Sequence, residues 1–198
     1  MASSIDQLVE QIKALQSELE AELAIRRANL NYTLQSGRVR FEQEVLRAHK
    51  ALRVNLARYI FNANVMHVVT APIIYSMIIP LVLLDIFVTV YQAVCFPVYG
   101  IEKVRRSDHL IFDRYHLAYL NLLEKINCAY CSYGNGLLSY AREIAGRTEQ
   151  YWCPIKHARR VIAAHEGYDR FAEFGDAAAF RQRTELSRKH SDKSQPDA

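Results

Sequence analysis

Proline is absent from the first sixty residues of this chain, and Gly37 is the only glycine among them. The segment is instead rich in Ala, Leu, Glu, Gln and Arg, which favour helices. Apolar pairs with i, i+4 spacing recur every eleven residues in it: Leu8 with Ile12, Leu19 with Leu23, Leu30 with Leu34, Phe41 with Val45, and Leu52 with Leu56. A repeat of this period is typical of nearly straight or slightly right-handed bundles. We therefore predict a long amphipathic helix over residues 1–62 that packs on a partner and bends or breaks, if anywhere, at Gly37.

Charge is scarce in a second stretch, because Asp85 is the only charged residue from Val65 to Gly100. Basic residues crowd both flanks of this stretch, and the positive-inside rule places such flanks in the cytoplasm. Its length exceeds the roughly 20 residues that one perpendicular membrane helix needs. We predict a helical hairpin within residues 63–101 that turns near Pro80 to Asp85 and either spans the lipid bilayer or re-enters it. A single tilted span and the buried core of a soluble protein are the alternatives.

Ionisable residues inside such a stretch are costly to bury in lipid and are therefore candidates for function. Asp85 is the first candidate, and its other interpretation is a residue of the hairpin turn, near headgroups or water. His67, near the start of the stretch, is the second, and it could equally be an interfacial side chain. Asp85 and His67 are therefore candidates for an intramembrane polar site, with the turn and the interface as the bland interpretations.

Cysteine is also scarce, and four cysteines are too few for a disulfide scaffold. No basic and then apolar segment typical of a secretory signal occurs at the N-terminus. The segments outside the membrane are therefore expected in a reducing cytosol, with both on the cytoplasmic side. In that compartment a CxxC motif indicates a metal or redox site rather than a structural bridge.

The strongest site signal is Cys128-Ala-Tyr-Cys131 followed by Cys153-Pro-Ile-Lys-His157. Three thiolates and one imidazole suit structural zinc, which takes four such ligands tetrahedrally. An iron–sulfur cluster is the alternative cofactor, and a redox-active CxxC or unrelated buried cysteines are the other interpretations. We predict a zinc site formed by Cys128, Cys131, Cys153 and His157.

Residues 102–180 are predicted to form the soluble helical domain that holds this metal. Apolar residues at helical spacing indicate a first helix from Leu110 that ends near Gly134-Asn135-Gly136. A second helix is expected from about Leu137 to Gln150, and a third from Pro154 through Ile162. The glycine break would fold the first two helices back on each other and bring the four ligands together. Residues 181–198 are polar and are predicted to be a disordered tail.

Several catalytic signatures are missing, among them a glycine-rich phosphate loop, GxSxG and HExxH. The net charge of +4 is too weak to predict a nucleic-acid partner. We therefore expect an all-α membrane protein that acts as a non-enzymatic scaffold or assembly protein, as a homo-oligomer or within a membrane protein complex. A membrane-associated iron–sulfur electron carrier is one alternative. A homo-oligomeric pore or transporter that uses Asp85 is the other.

Overall fold

The computed structural model describes residues 4–29, 32–35, 38–41, 43–61, 64–162 and 164–193, and this part of the chain is mostly helical. In chain order its helices and strands are α1 (Ser4–Asn29), β1 (Tyr32–Gln35), β2 (Arg38–Phe41), α2 (Gln43–Ala51), α3 (Leu56–Phe61), α4 (Val65–Ser76), α5 (Ile78–Tyr99), α6 (Arg106–His109), α7 (Leu122–Trp152) and α8 (Ala177–Lys193). Short 3-10 turns occur at Asp113–His116 and Tyr168–Arg170. The predominance of helix confirms the predicted all-α class, apart from one short hairpin.

The chain forms two compact units. The first consists of residues Met1–Phe61 together with Asp113–Lys125, and the second of Asn62–Phe112 together with Ile126–Ala198. The first unit thus takes a segment from the region that the sequence assigned to the C-terminal domain.

The long helix predicted over residues 1–62 is divided by a β-hairpin. Helix α1 ends at Asn29, and β1 pairs antiparallel with β2 in a register that aligns Tyr32 with Phe41. Aromatic and β-branched residues in these two strands favour extended backbone, and they outweigh the apolar pairs that continue in this region. The single continuous helix was therefore a wrong prediction, and the expected bend at Gly37 lies outside the described residues.

The apolar stretch forms one long helix rather than a hairpin. Met77, between α4 and α5, keeps right-handed helical angles (φ −62°, ψ −13°), and Val65–Tyr99 extends as a helical segment of 35 residues. Pro80 is the third residue of α5, where a missing N–H costs no intrahelical hydrogen bond, so the proline does not turn the chain. The predicted turn at Pro80 to Asp85 was wrong. By length and composition, this is one helix able to cross a membrane.

Helices α5 and α7 lie side by side and run in the same direction. The Tyr130 hydroxyl donates to the Ile74 carbonyl near one end, the Gln92 amide donates to the Tyr140 hydroxyl in the middle, and the Tyr99 ring contacts Tyr151 at the other end. The buried core of this unit lies along this contact and consists of Phe96, Val104, Leu137, Tyr140 and Ile144. Because the helices are parallel, the chain between them has to return along their length.

Helix α7 is continuous through Gly134-Asn135-Gly136, so the predicted break there was wrong. A Cβ added at Gly136 would lie 2.6 Å from the His109 carbonyl oxygen, which shows that this glycine allows the returning chain to cross the helix closely. The predicted helix from Leu110 to about Gly134 is likewise not formed as one element. Instead α7 begins after a reciprocal cap, in which the Asn121 and Glu124 side chains each accept from the other residue's backbone N–H, at 3.0 and 2.8 Å.

The chain after α7 differs from the prediction of a third helix through Ile162. Residues 153–162 and 164–176 are largely irregular, and Ile155 pairs with Ala172 in an isolated parallel bridge. Helix α8 then extends from Ala177 to Lys193, although a disordered tail was predicted from residue 181 onward. Residues 194–198 lie outside the described part of the chain.

Candidate membrane-binding helix and its polar contacts

One face of α5 is apolar and exposed along the whole helix. We call this face the apolar stripe, and its members recur at spacings of three and four residues: Ile79, Leu83, Ile86, Val90 and Val94. Their exposed fractions are 63, 51, 54, 56 and 61%. Phe87 and Val98 widen the stripe with exposed fractions of 71 and 68%. A contiguous apolar surface of this extent is typical of a binding surface for lipid or protein.

The opposite face of α5 holds a returning segment, residues 101–112, which we call the connector. Gln92, only 6% exposed, is the main contact. Its amide nitrogen donates to the Val104 carbonyl at 3.3 Å and to the Tyr140 hydroxyl at 2.9 Å, and its amide oxygen accepts from the Val104 N–H at 2.6 Å. The Gln92 side chain therefore forms hydrogen bonds with both backbone groups of Val104 and connects α5 with the connector and with α7.

A second polar cluster lies two turns earlier on the same face of α5. The carboxylate of Asp85 accepts hydrogen bonds from both guanidinium nitrogens of Arg106, one of them at 2.7 Å, and from the Tyr133 hydroxyl at 2.9 Å. The hydrogen bond to Asp85 raises the pKa of Arg106 above its usual value. Burial, followed by the hydrogen bond to Asp85, raises the pKa of Tyr133. Both groups therefore keep their protons at neutral pH, and Asp85 remains paired.

The connector turns its remaining charged side chains to solvent. Glu102, Lys103, Arg105 and Asp108 are all exposed, whereas Val104 between them is 5% exposed and belongs to the core. Helix α5 thus separates two chemically different surfaces, an apolar stripe on one side and a charged segment on the other.

The predicted metal ligands do not come together within one chain. Cys128 and Cys131 lie in the first third of α7, while Cys153 follows its last residue. Cys131 and Cys153 are 22 residues apart in sequence, which corresponds to about 33 Å along a continuous helix. The backbone N–H of His157 donates to the Tyr168 hydroxyl, and the His157 ring stacks on the Tyr168 ring at 6.4 Å between centroids.

Among the described residues, no three His, Cys, Asp or Glu side chains form a group that could hold a metal ion. Burial, followed by the nearby Glu149 carboxylate, raises the pKa of the Cys153 thiol above its usual value. The zinc site, and the iron–sulfur cluster offered as its alternative, remain predictions that the geometry of a single chain does not support.

The two intramembrane candidates have different surroundings. Asp85 lies inside α5 and not at a turn, and its carboxylate is directed to Arg106 and Tyr133 of its own chain. These contacts give no support to the pore alternative, which requires a carboxylate available to ions. His67 is exposed on α4.

Of the residues that form the polar contacts, Asp85 was a candidate from the sequence, whereas Gln92, Arg106 and Tyr133 were not, although one signal pointed to Gln92. Gln92 follows Asp85 by seven residues, so both lie on one face of a helix, opposite the apolar stripe. A polar pair at this spacing inside an apolar helix indicates a face that packs against protein. Arg106 and Tyr133 carried no comparable local signal.

No protein-family model, no curated protein and no solved structure matches this chain.

Proposed function

We propose that this protein is a membrane-anchored scaffold, in which α4 and α5 bind the lipid bilayer and the remaining helices present contacts to other protein. The observation that carries the proposal is the helical segment Val65–Tyr99, which is long and apolar enough to cross a membrane and whose most apolar part contains no buried residue. Asp85 and Gln92, the two polar residues of α5 that face the connector, are hydrogen-bonded within the chain. They support a structural role better than a catalytic one.

The energy available from the apolar stripe is sufficient for stable membrane binding. Complete burial of a Leu, Ile, Val or Phe side chain contributes roughly 1.5–3 kcal/mol, and the stripe residues are about half exposed, so each contributes on the order of 1 kcal/mol. Five such residues in α5, together with the exposed apolar residues of α4, add several kcal/mol. Anchoring by a helix face is therefore physically adequate without a covalent lipid.

The test is flotation with phosphatidylcholine vesicles that contain a minority of phosphatidylserine. We expect the wild-type chain to float with the vesicles, and the double variant Ile86→Lys, Val90→Lys to lower the partition coefficient at least tenfold, because two charges replace half-exposed apolar groups. The matched control adds the same two charges at exposed positions elsewhere, Ser107→Lys and Gln182→Lys, and should float like the wild type. A wild-type chain that stays out of the vesicle fraction, or a folded stripe variant that floats equally well, would contradict the proposal.

We also propose that the scaffold self-associates through α1. Leu8, Ile12, Leu15 and Leu19 follow a 4-3-4 spacing and have exposed fractions of 55, 55, 64 and 57%. This spacing is the apolar seam of a coiled coil. In proteins most of the stability of a helix comes from packing of its apolar face, and in α1 that face is exposed. A second copy of the chain supplies the same seam, so it fits as the partner.

The association is tested with the detergent-solubilised full chain by light scattering coupled to gel filtration. We expect the wild type to have the mass of an oligomer and the variant Ile12→Asp, Leu15→Asp to dissociate at concentrations at least tenfold higher, because two acids replace seam residues. The control Gln7→Asp, Ser17→Asp adds two acids to the exposed outer face of the same helix and should leave the mass unchanged. A monomeric wild type, or a seam variant that keeps the oligomer mass, would rule out α1 as the interface.

A further inference from the structure

We infer that α5 does not cross the bilayer but lies in the plane of one leaflet, with its apolar stripe in the lipid and the connector facing water. This inference rests on the proposed membrane anchoring and adds the orientation of the helix. The orientation is inferred from the contacts that hold the charged connector against α5, and not from the length of the apolar stretch.

The connector is fixed to α5 at two positions along the helix. Arg106 is hydrogen-bonded to Asp85, and Val104 shares its backbone N–H and carbonyl with Gln92. The connector starts just after Tyr99, at the other end of α5. Asp85 and Tyr99 are 14 residues apart, which corresponds to about 21 Å of helix. Over this length, insertion of α5 into the hydrocarbon on all sides would also bury the connector there.

The charges of the connector make a crossing expensive. Glu102, Lys103, Arg105 and Asp108 are exposed, so an α5 that crosses perpendicularly would place them along roughly two thirds of a hydrocarbon core about 30 Å thick. Each charge at that depth costs at least about 2.5 kcal/mol. The sum exceeds what the stripe residues of α5 contribute, and a crossing is therefore unfavourable.

The in-plane orientation satisfies both surfaces at once. The apolar stripe extends over the whole of α5, from Ile79 to Val94 and on to Val98, so one side of the helix reaches the acyl chains along its entire length. The connector on the opposite side stays in water. An apolar face and a charged face on opposite sides of one helical element are characteristic of interfacial helices.

The orientation has a consequence for sidedness. When neither α4 nor α5 crosses, the segments before Val65 and after Tyr99 lie on the same side of the membrane, with no hairpin in between. Both flanks then share one side through a different geometry from the one predicted from the sequence, and their location in the cytoplasm stays a prediction.

The test measures the depth of single tryptophan reporters by quenching with lipids brominated at known positions of the acyl chain. Trp152 is the only tryptophan of the chain, so Trp152→Phe gives a background without other reporters. Ile79→Trp, Ile86→Trp and Val94→Trp each place a reporter on the apolar stripe, and Ser107→Trp places one on the connector as a control. Flotation of each variant is measured in parallel.

We expect the three stripe reporters to be quenched at equal depth, within a few Å, and the connector reporter to be unquenched. A crossing helix would instead separate the depth of Ile86 from those of Ile79 and Val94 by about 10 Å. A crossing confined to residues 65–84 would leave the Val94 reporter unquenched. Either of these depth patterns overturns the inference while leaving membrane anchoring intact, whereas loss of flotation in the tryptophan-free background would overturn the anchoring itself.

Discussion

Gln92→Leu is expected to lower the free energy of unfolding of the second unit by about 3 kcal/mol. Leucine fits the volume of this 6% exposed position but makes none of the three hydrogen bonds of the glutamine amide. The Val104 N–H and carbonyl would then be buried without partners, and each such group costs about 1–3 kcal/mol. The measurement is denaturant unfolding in detergent followed by Trp152 fluorescence, since Trp152 belongs to the same unit.

The control for this substitution is Gln182→Leu on α8, where the side chain is exposed. It makes the same chemical change without removing a buried hydrogen bond, so its effect should stay within about 0.5 kcal/mol. If Gln92→Leu were as stable as the wild type, the connector would not be held by this contact. The placement of the charged connector against α5 would then be unsupported, and so would the in-plane orientation that is inferred from it.

Gly136→Ala is expected to destabilise the same unit by about 2 kcal/mol, against the normal trend for a glycine inside a helix. The new Cβ would lie 2.6 Å from the His109 carbonyl oxygen and 3.0 Å from the Leu110 Cα, both of them backbone atoms that cannot rotate away. Overpacking of this kind costs about 1–3 kcal/mol and exceeds the gain of about 1 kcal/mol that alanine offers in a helix.

Gly134→Ala is the matched control, because it lies on the same helix only two residues earlier. Its added Cβ would meet Leu81 Cδ1 at 3.4 Å, an ordinary contact with the end of a flexible side chain. We therefore expect this variant to be unchanged or more stable by up to about 1 kcal/mol. Equal stabilisation by both substitutions would show that the connector does not cross α7 at Gly136.

The sequence predicted the helical class and the position of the apolar segment, because both depend on local composition. The absence of Lys, Arg and Glu between Val65 and Gly100 identifies the segment without any tertiary information. Its shape was harder to predict, since proline is a helix breaker in the middle of a helix and harmless in its first turn. Only the structure shows that Pro80 occupies the first turn.

The candidate site was predicted less well, for a reason that concerns glycine. Gly134 and Gly136 were taken to end a helix, and the whole metal site depended on that break. Glycine also occurs inside helices where another backbone approaches closely, and here the backbone at His109 and Leu110 does so. The sequence contains both possibilities. The choice depends on a contact between residues 27 positions apart, which no local pattern encodes.

The network of Asp85, Gln92 and Arg106 could be predicted only in part for the same reason. The seven-residue spacing of Asp85 and Gln92 indicates one polar face on an apolar helix. The partners of this face come from the connector and from α7, and their register follows from the parallel orientation of the two helices.

The parallel orientation of α5 and α7 also has an electrostatic consequence. In antiparallel neighbours the macrodipoles of two helices oppose each other, whereas here they add, and the negative ends of both helices meet near Tyr99 and Trp152. That end of the unit attracts cations, and Arg147, in the last turns of α7, lies there with its guanidinium donating to the Glu102 carbonyl oxygen at 2.8 Å. The same guanidinium also donates to the Glu143 carboxylate at 3.0 Å, so this arginine faces a carboxylate as well as the carbonyl-rich end of the two helices.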